Sequence, residues 1–159
     1  MKLEVLMEKF AANAGIEKAA ATDGVWKFSA DGNVFGVTQD DAGEYVFLFG
    51  DIRMQNPEKR DALIKSAMEA NYFHRGTGGA TFSLNPDTGE LTLFESKRLE
   101  GLGEEAFYSF VERFVNTLAT WNGIVGRAQP TDAAPVSASL PDEPSAYVGA
   151  FSSGGFIQV

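Results

Sequence analysis

No cysteine occurs among the 159 residues. That removes disulfides, thiolate nucleophiles and cysteine-based metal sites, and it is compatible with a reducing compartment. Histidine is nearly as scarce, since His74 stands alone. A metal site built on it would draw every other ligand from carboxylates, and none lies at the helical spacing that usually supplies them. A serine nucleophile would need this one imidazole as its base, and neither a Gly-x-Ser-x-Gly elbow nor a serine placed beside it is present. Long apolar runs are missing too: nothing approaches the roughly 18 to 20 uninterrupted apolar residues that span a bilayer. The opening run Met1-Lys2-Leu3-Glu4-Val5-Leu6-Met7-Glu8-Lys9-Phe10 mixes charge with apolar residues and has no apolar core of a secretion signal. A cytoplasmic protein without membrane insertion is therefore expected. Positive charge is in the minority, 13 Lys and Arg against 22 Asp and Glu, for a net charge of -9. Such a field repels phosphate backbones and anionic lipid, so nucleic acid is not an expected partner.

What the chain does have is apolar mass. Apolar residues make up 44% and aromatics 12%, with 13 phenylalanines, enough for one domain with a genuine core. Leu3, Leu6, Met7, Phe10, Ala11 and Ala14 recur at helical spacing, and Gly15-Ile16 reads as the stop of that helix. Strand-like runs follow at Val25 to Ser29, Val34 to Gln39 and Tyr45 to Ile52, separated by Asp31-Gly32-Asn33 and Asp40-Asp41-Ala42-Gly43. In the third run Tyr45, Phe47 and Phe49 point one way and Val46 and Leu48 the other, so both faces need cover. Asn56-Pro57-Glu58 starts a second helix reaching about Asn71. A second hairpin turns at Pro86-Asp87-Thr88-Gly89. A third helix, from about Gly103 to Asn122, carries Phe107, Phe110, Val111, Phe114, Leu118 and Trp121 on one face and is expected to close on Gly123. From residue 124 to 159 the composition turns to Ala, Pro, Ser and Gly without a period, which reads as a flexible tail behind a domain of residues 1–123. The expected fold is α+β, in the order α-β-β-β-α-β-β-α.

Few motifs carry chemistry. Gly76-Thr77-Gly78-Gly79-Ala80-Thr81 invites a phosphate-loop reading, but no lysine follows until Lys97 and a strand, not a helix, comes next, so the glycines read as a helix-to-strand connection. Asp40, Asp41 and Glu44 cluster at a hairpin, where aspartate is favoured for turn formation. The aromatic face of the third helix is core first. Thirteen phenylalanines nevertheless exceed what a domain of this size readily hides, and part of that load is expected at a subunit interface or a peptide groove.

Glu69-Ala70-Asn71-Tyr72-Phe73, then Gly76-Thr77-Gly78-Gly79-Ala80-Thr81-Phe82-Ser83-Leu84, then Asp87-x-Gly89-x-Leu91-x-Leu93 and a closing aromatic helix ending at Trp121 resemble the CesT/SycE group of class I type III secretion chaperones. The resemblance covers about residues 1 to 123, is sharpest from 69 to 93, and leaves the long tail as a departure from the family pattern. It implies a bacterial homodimer with a twisted antiparallel sheet. It also implies a partner, the N-terminal chaperone-binding segment of one or more secreted effectors, held in largely extended form and kept competent for export. Neither ATP nor any other cofactor is implied, and no catalysis.

Two surfaces follow from that resemblance and from the pattern. The effector is expected on Leu3, Phe28, Phe35, Val37 and Phe94, on elements with two apolar faces or at a sheet edge. The two-fold is expected on the second helix and fourth strand, at Ala62, Ser66, Ala67 and Ala70 with Phe82 and Leu84, because small side chains permit close approach. Two alternatives stand beside this. One is a YbjN-like α+β adaptor with no secretion role; the other is a hydrolase using carboxylates from the Asp40 to Glu44 turn and Asp51.

Overall fold

The first helix forms because its apolar residues recur on one side. In the computed structural model, which describes residues 2–15, 20–54, 56–127 and 157–158, α1 spans Leu3–Asn13 and buries Leu3, Leu6, Met7, Phe10 and Ala11. Gly15 then turns the chain at φ +72, a left-handed stop that glycine makes without a Cβ clash. Ile16, the expected companion of that stop, lies outside the described residues.

Strands β1 (Trp26–Ala30), β2 (Asn33–Gln39) and β3 (Tyr45–Asp51) form an antiparallel meander. Asp31 and Gly32, at φ +49 and +77, are the two left-handed central residues of a tight hairpin whose twist matches that of its strands. At the next turn an Asp40 Oδ1 atom accepts from the backbone N–H groups of Glu44 and Tyr45, each at 2.8 Å. Asn56 caps a 3₁₀ turn over Pro57–Lys59 by accepting from Glu58 N–H at 2.9 Å, and α2 continues over Arg60–Asn71. Then come β4 (Thr81–Leu84), β5 (Leu91–Arg98), α3 (Glu104–Arg127) and the two-residue β6 (Ile157–Gln158).

The expected α-β-β-β-α-β-β-α order is the order found, and β6 is added to it. All neighbouring strands are antiparallel, in the spatial order β4-β5-β3-β2-β1-β6. Two expectations about the end of the domain change. Helix α3 does not stop on Gly123 but runs to Arg127, because Val125 extends its apolar stripe onto the core. Of the expected tail, residues 128–156 and 159 lie outside the described residues, whereas Ile157–Gln158 pairs with β1.

Strand register places Trp26, Phe28, Phe35, Val37, Val46, Leu48, Leu91, Leu93 and Phe82 on one face of the sheet, and all are buried. Helices α1 and α3 cover that face. The ring of Phe10 meets Phe28 edge-on at 5.5 Å and Phe107 at 6.2 Å, and Trp121 meets Phe82 at 4.6 Å. Phe107, Phe110, Phe114 and Leu118 of α3 are 1% exposed or less. The helix lies so close to β3 that a Cβ at Gly50 would stand 2.6 Å from Leu118 Cδ2.

That contact yields a stability test. Gly50→Val should cost about 1–3 kcal/mol by overpacking, and Phe114→Ala about 3–5 kcal/mol by leaving a cavity. Urea denaturation should show both as lowered midpoints at an unchanged slope.

Candidate functional site

The sheet's other face carries a second, smaller set of aromatics. Phe47, Phe49 and Phe94 alternate with the buried Val46, Leu48 and Leu93, so they point away from α1 and α3. Phe49 stands directly opposite Phe94 on β5 and Gly36 on β2. Its ring lies down across the glycine: a Cβ at residue 36 would be 2.3 Å from Phe49 Cζ. Glycine is required there for the ring to lie flat on the sheet. Tyr45 on the same face is 39% exposed and Val34 is 43% exposed, while Phe47, Phe49 and Phe94 are half-buried. The result is an apolar strip across β2, β3 and β5, open to solvent.

A second apolar surface gathers where α2 ends. Met68, Tyr72 and Phe73 are 45%, 59% and 79% exposed, and Leu84 on β4 is 42% exposed. Phe73 and the next residue, His74, are both left-handed, at φ +51 and +53, a conformation uncommon for bulky residues. The turn is held on both sides. The Asn71 side chain accepts from Phe82 N–H at 2.8 Å and donates to Phe82 C=O at 3.1 Å, His74 Nδ1 meets Ala80 C=O at 2.9 Å, and Trp121 Nε1–H donates to Gly76 C=O at 2.9 Å. So fixed, the backbone presents the Tyr72 and Phe73 rings outward, edge to face at 4.7 Å, with the Arg75 guanidinium over Tyr72.

The carboxylates and glycines singled out in the sequence serve turns and contacts within the fold. Gly78 and Gly79 adopt φ +60 and +110 in the connection into β4, and Gly79 packs beside the Glu95 carboxylate. The Asp40 carboxylate caps its own turn, and Asp51 accepts from the Thr92 hydroxyl at 2.7 Å. Both of these carboxylates, which the hydrolytic alternative would use, are thus engaged in bonds within the fold. Among the described residues no group of three or more His, Asp or Glu side chains is placed to hold a metal ion, and no helix is long and apolar enough to cross a membrane.

In sequence the chain matches the Tir chaperone protein (CesT) family over residues 5–122. It belongs to that family. No curated protein sequence matches it. Among solved structures, this CesT-family chain is similar to a chain of the HopA1–SchA chaperone–effector complex, at 15% identity and a TM-score of 0.61, covering 76% of this chain and 93% of that one. It is similar to a chain of the ExsC–ExsE complex at 15% identity and a TM-score of 0.60, covering 80% and 96%. A third likeness is to the Yersinia pestis type III secretion chaperone SycH in complex with a stable fragment of YscM2, at 16% identity and a TM-score of 0.54, covering 74% and 98%. At these identities the likeness is one of fold.

The fold of this CesT-family chain separates the residues expected to bind. Leu3, Phe28, Phe35 and Val37 are 1% exposed or less. They belong to the helix-covered face, where α1 and α3 already occupy the surface a ligand would need, so only Phe94 of that set reaches the open strip. Of the residues expected at a two-fold, Ala67 and Phe82 are interior, at 0% and 3% exposure, because they seat α2 and β4 on the core. Ala62, Ser66 and Leu84 are exposed, and Ala70 is half-buried against Gly76. Val34 and Tyr45 on the strip and Tyr72 and Phe73 at the turn are exposed apolar residues that were not among those expected to bind. The alternation of the third strand pointed to Tyr45, whereas no periodicity marks Phe73.

One buried charge allows a pH test. The Glu95 carboxylate, 12% exposed, is hydrogen-bonded by Arg113 of α3. Burial pushes its pKa above the ordinary glutamate range, and Arg113 opposes this only in part. The folded chain therefore holds this proton more tightly than the unfolded chain. The resulting stabilisation is complete below the ordinary range and is lost as pH rises through the raised folded value. Glu95→Gln should abolish that dependence. The stability of the variant relative to the parent, measured by urea unfolding between about pH 4 and pH 7, should rise with pH over that window.

Proposed function

We propose that this chain is a bacterial cytoplasmic type III secretion chaperone that holds the N-terminal chaperone-binding segment of one or more secreted effectors, without ATP and without catalysis. The family match over residues 5–122 carries the reading. The physical means is an extended client segment that adds its main chain at the outer margin of β1, where β6 pairs, and continues across the outer face of the sheet, where its apolar side chains rest on Phe47, Phe49 and Phe94. Backbone pairing supplies affinity in such an arrangement and alternate side chains supply selectivity. The adaptor alternative has no observation in its favour.

The working unit in this reading is a homodimer. Exposed Met68, Tyr72, Phe73 and Leu84 form an apolar surface beside the small residues Ala62 and Ser66, and a symmetric contact would cover the same patch on both copies. Light scattering should give twice the chain mass. Ser66→Arg and Phe73→Asp should each return a folded monomer, and a parent chain that is monomeric at micromolar concentration would sink the dimer.

Client capture is tested by expressing the chain together with the genes beside its own and identifying what co-purifies. Phe49→Asp and Phe94→Asp should fold normally by circular dichroism yet hold the captured protein about 10- to 100-fold more weakly, since each loses roughly 1.5–3 kcal/mol of apolar contact. Phe35→Asp, by contrast, should unfold, because Phe35 is 1% exposed. Normal retention by both outer-face variants would remove the client from the strip.

A further inference from the structure

The sheet ends at β4 on one side, while on the other only β6 lies beyond β1, and the two margins are treated differently. The β4 margin is tied to α2, since Asn71 bonds both the N–H and the C=O of Phe82. On the β1 side, Ala30 and Asn33 face each other across the tight turn, and the alternation of an antiparallel ladder then directs the backbone groups of Lys27 and Ser29 away from β2. That outward side is where the chain adds a strand of its own. Ile157 lies opposite Ser29 and Gln158 opposite Phe28.

We propose that β6 is a built-in competitor: it seats on β1 when no client is present and is displaced when a client strand adds to the same margin. The competition step rests on the chaperone reading above; the seating of β6 does not. Two features favour a reversible occupant over a permanent part of the sheet. Among the described residues the strand pairs with β1 through Ile157 and Gln158, fewer than makes a strand pair persist in water by itself. It is joined to α3 through 29 residues, 128–156. Fully extended, these reach roughly 95 Å, several times the radius of gyration of about 14 Å for a domain of this size. The site is thus always within reach. A segment carried on the same chain meets this margin without diffusing from bulk, so a weak strand pair suffices to keep β1 covered, while a client adding more strand length and side-chain contacts displaces it. Between clients the same cover shields an edge that would otherwise pair with other chains.

The test uses the full chain and the variant Ile157→Pro, since Ile157 faces the outward-directed backbone of Ser29 and proline denies the ladder that donor. Hydrogen exchange should show the Ser29 amide exchanging about two- to tenfold faster in the variant, with the β3 and β5 amides unchanged. Unchanged exchange at Ser29 would overturn the proposal. A synthetic peptide of residues 151–159 should restore protection to the Ile157→Pro chain and bind it two- to tenfold more tightly than the parent, roughly the factor expected if β6 is seated half to nine-tenths of the time. Equal binding by both chains overturns the competition. Protection that disappears on dilution of the parent would place β6 in trans, from a second copy, and overturns the intramolecular device. Failure of the chaperone reading looks different: the chain would capture no secreted protein while β6 still protected Ser29.

Discussion

Everything in this molecule hangs on the packing of α3 against one face of the sheet. Phe107, Phe110, Phe114, Leu118 and Trp121 form a single stripe along the helix, and every strand from β1 to β5 offers it apolar side chains of matching parity. Helix α1 closes the remaining gap through Phe10, which touches strand, helix and the half-buried Tyr108 at once. With that layer formed, the polarity of the sheet is settled. One surface is used up by folding, and whatever the protein binds must use the other surface or the margins.

The margins of that layer then acquire distinct roles. At β4 the sheet is stitched to α2 by a single asparagine, and the strained turn at Phe73 and His74 follows from how tightly the connection is fixed on both sides. Phe73 is thereby held out in water although it is among the most apolar side chains in the protein. An exposed aromatic on a rigid backbone is well suited to contact, because little side-chain freedom remains to be lost on association. At β1 the margin is covered by β6, which follows α3 in the chain.

Sequence periodicity revealed the elements and their order because each depends on local signals: glycine at left-handed turns, Asn-Pro-Glu at a helix start, apolar residues every third or fourth position. It missed the end of α3, where Gly123 looked like a stop; packing of Val125 on the core outweighed the local preference of glycine. Phe28, Phe35 and Val37, expected at a client surface, lie instead buried on the face that the helices cover. Alternation tells that two faces differ, not which one the helices will cover, and that choice is made by pairing between segments far apart in the chain. Ala67 and Phe82 went astray for the same reason, their pattern being compatible with either a core or an interface. The pairing of Ile157 with Ser29 has no sequence signature at all, since two residues are too few to show a period.

The glycine beneath Phe49 bears on how choosy the protein is. A ring lying flat against the backbone makes a smooth floor with neither knob nor pit, and such a floor is indifferent to the order of the side chains that rest on it. Adhesion then grows with contact area, and discrimination shifts to the spacing of a ligand's apolar residues along an extended line. A single missing methyl group at residue 36 is what leaves room for that floor.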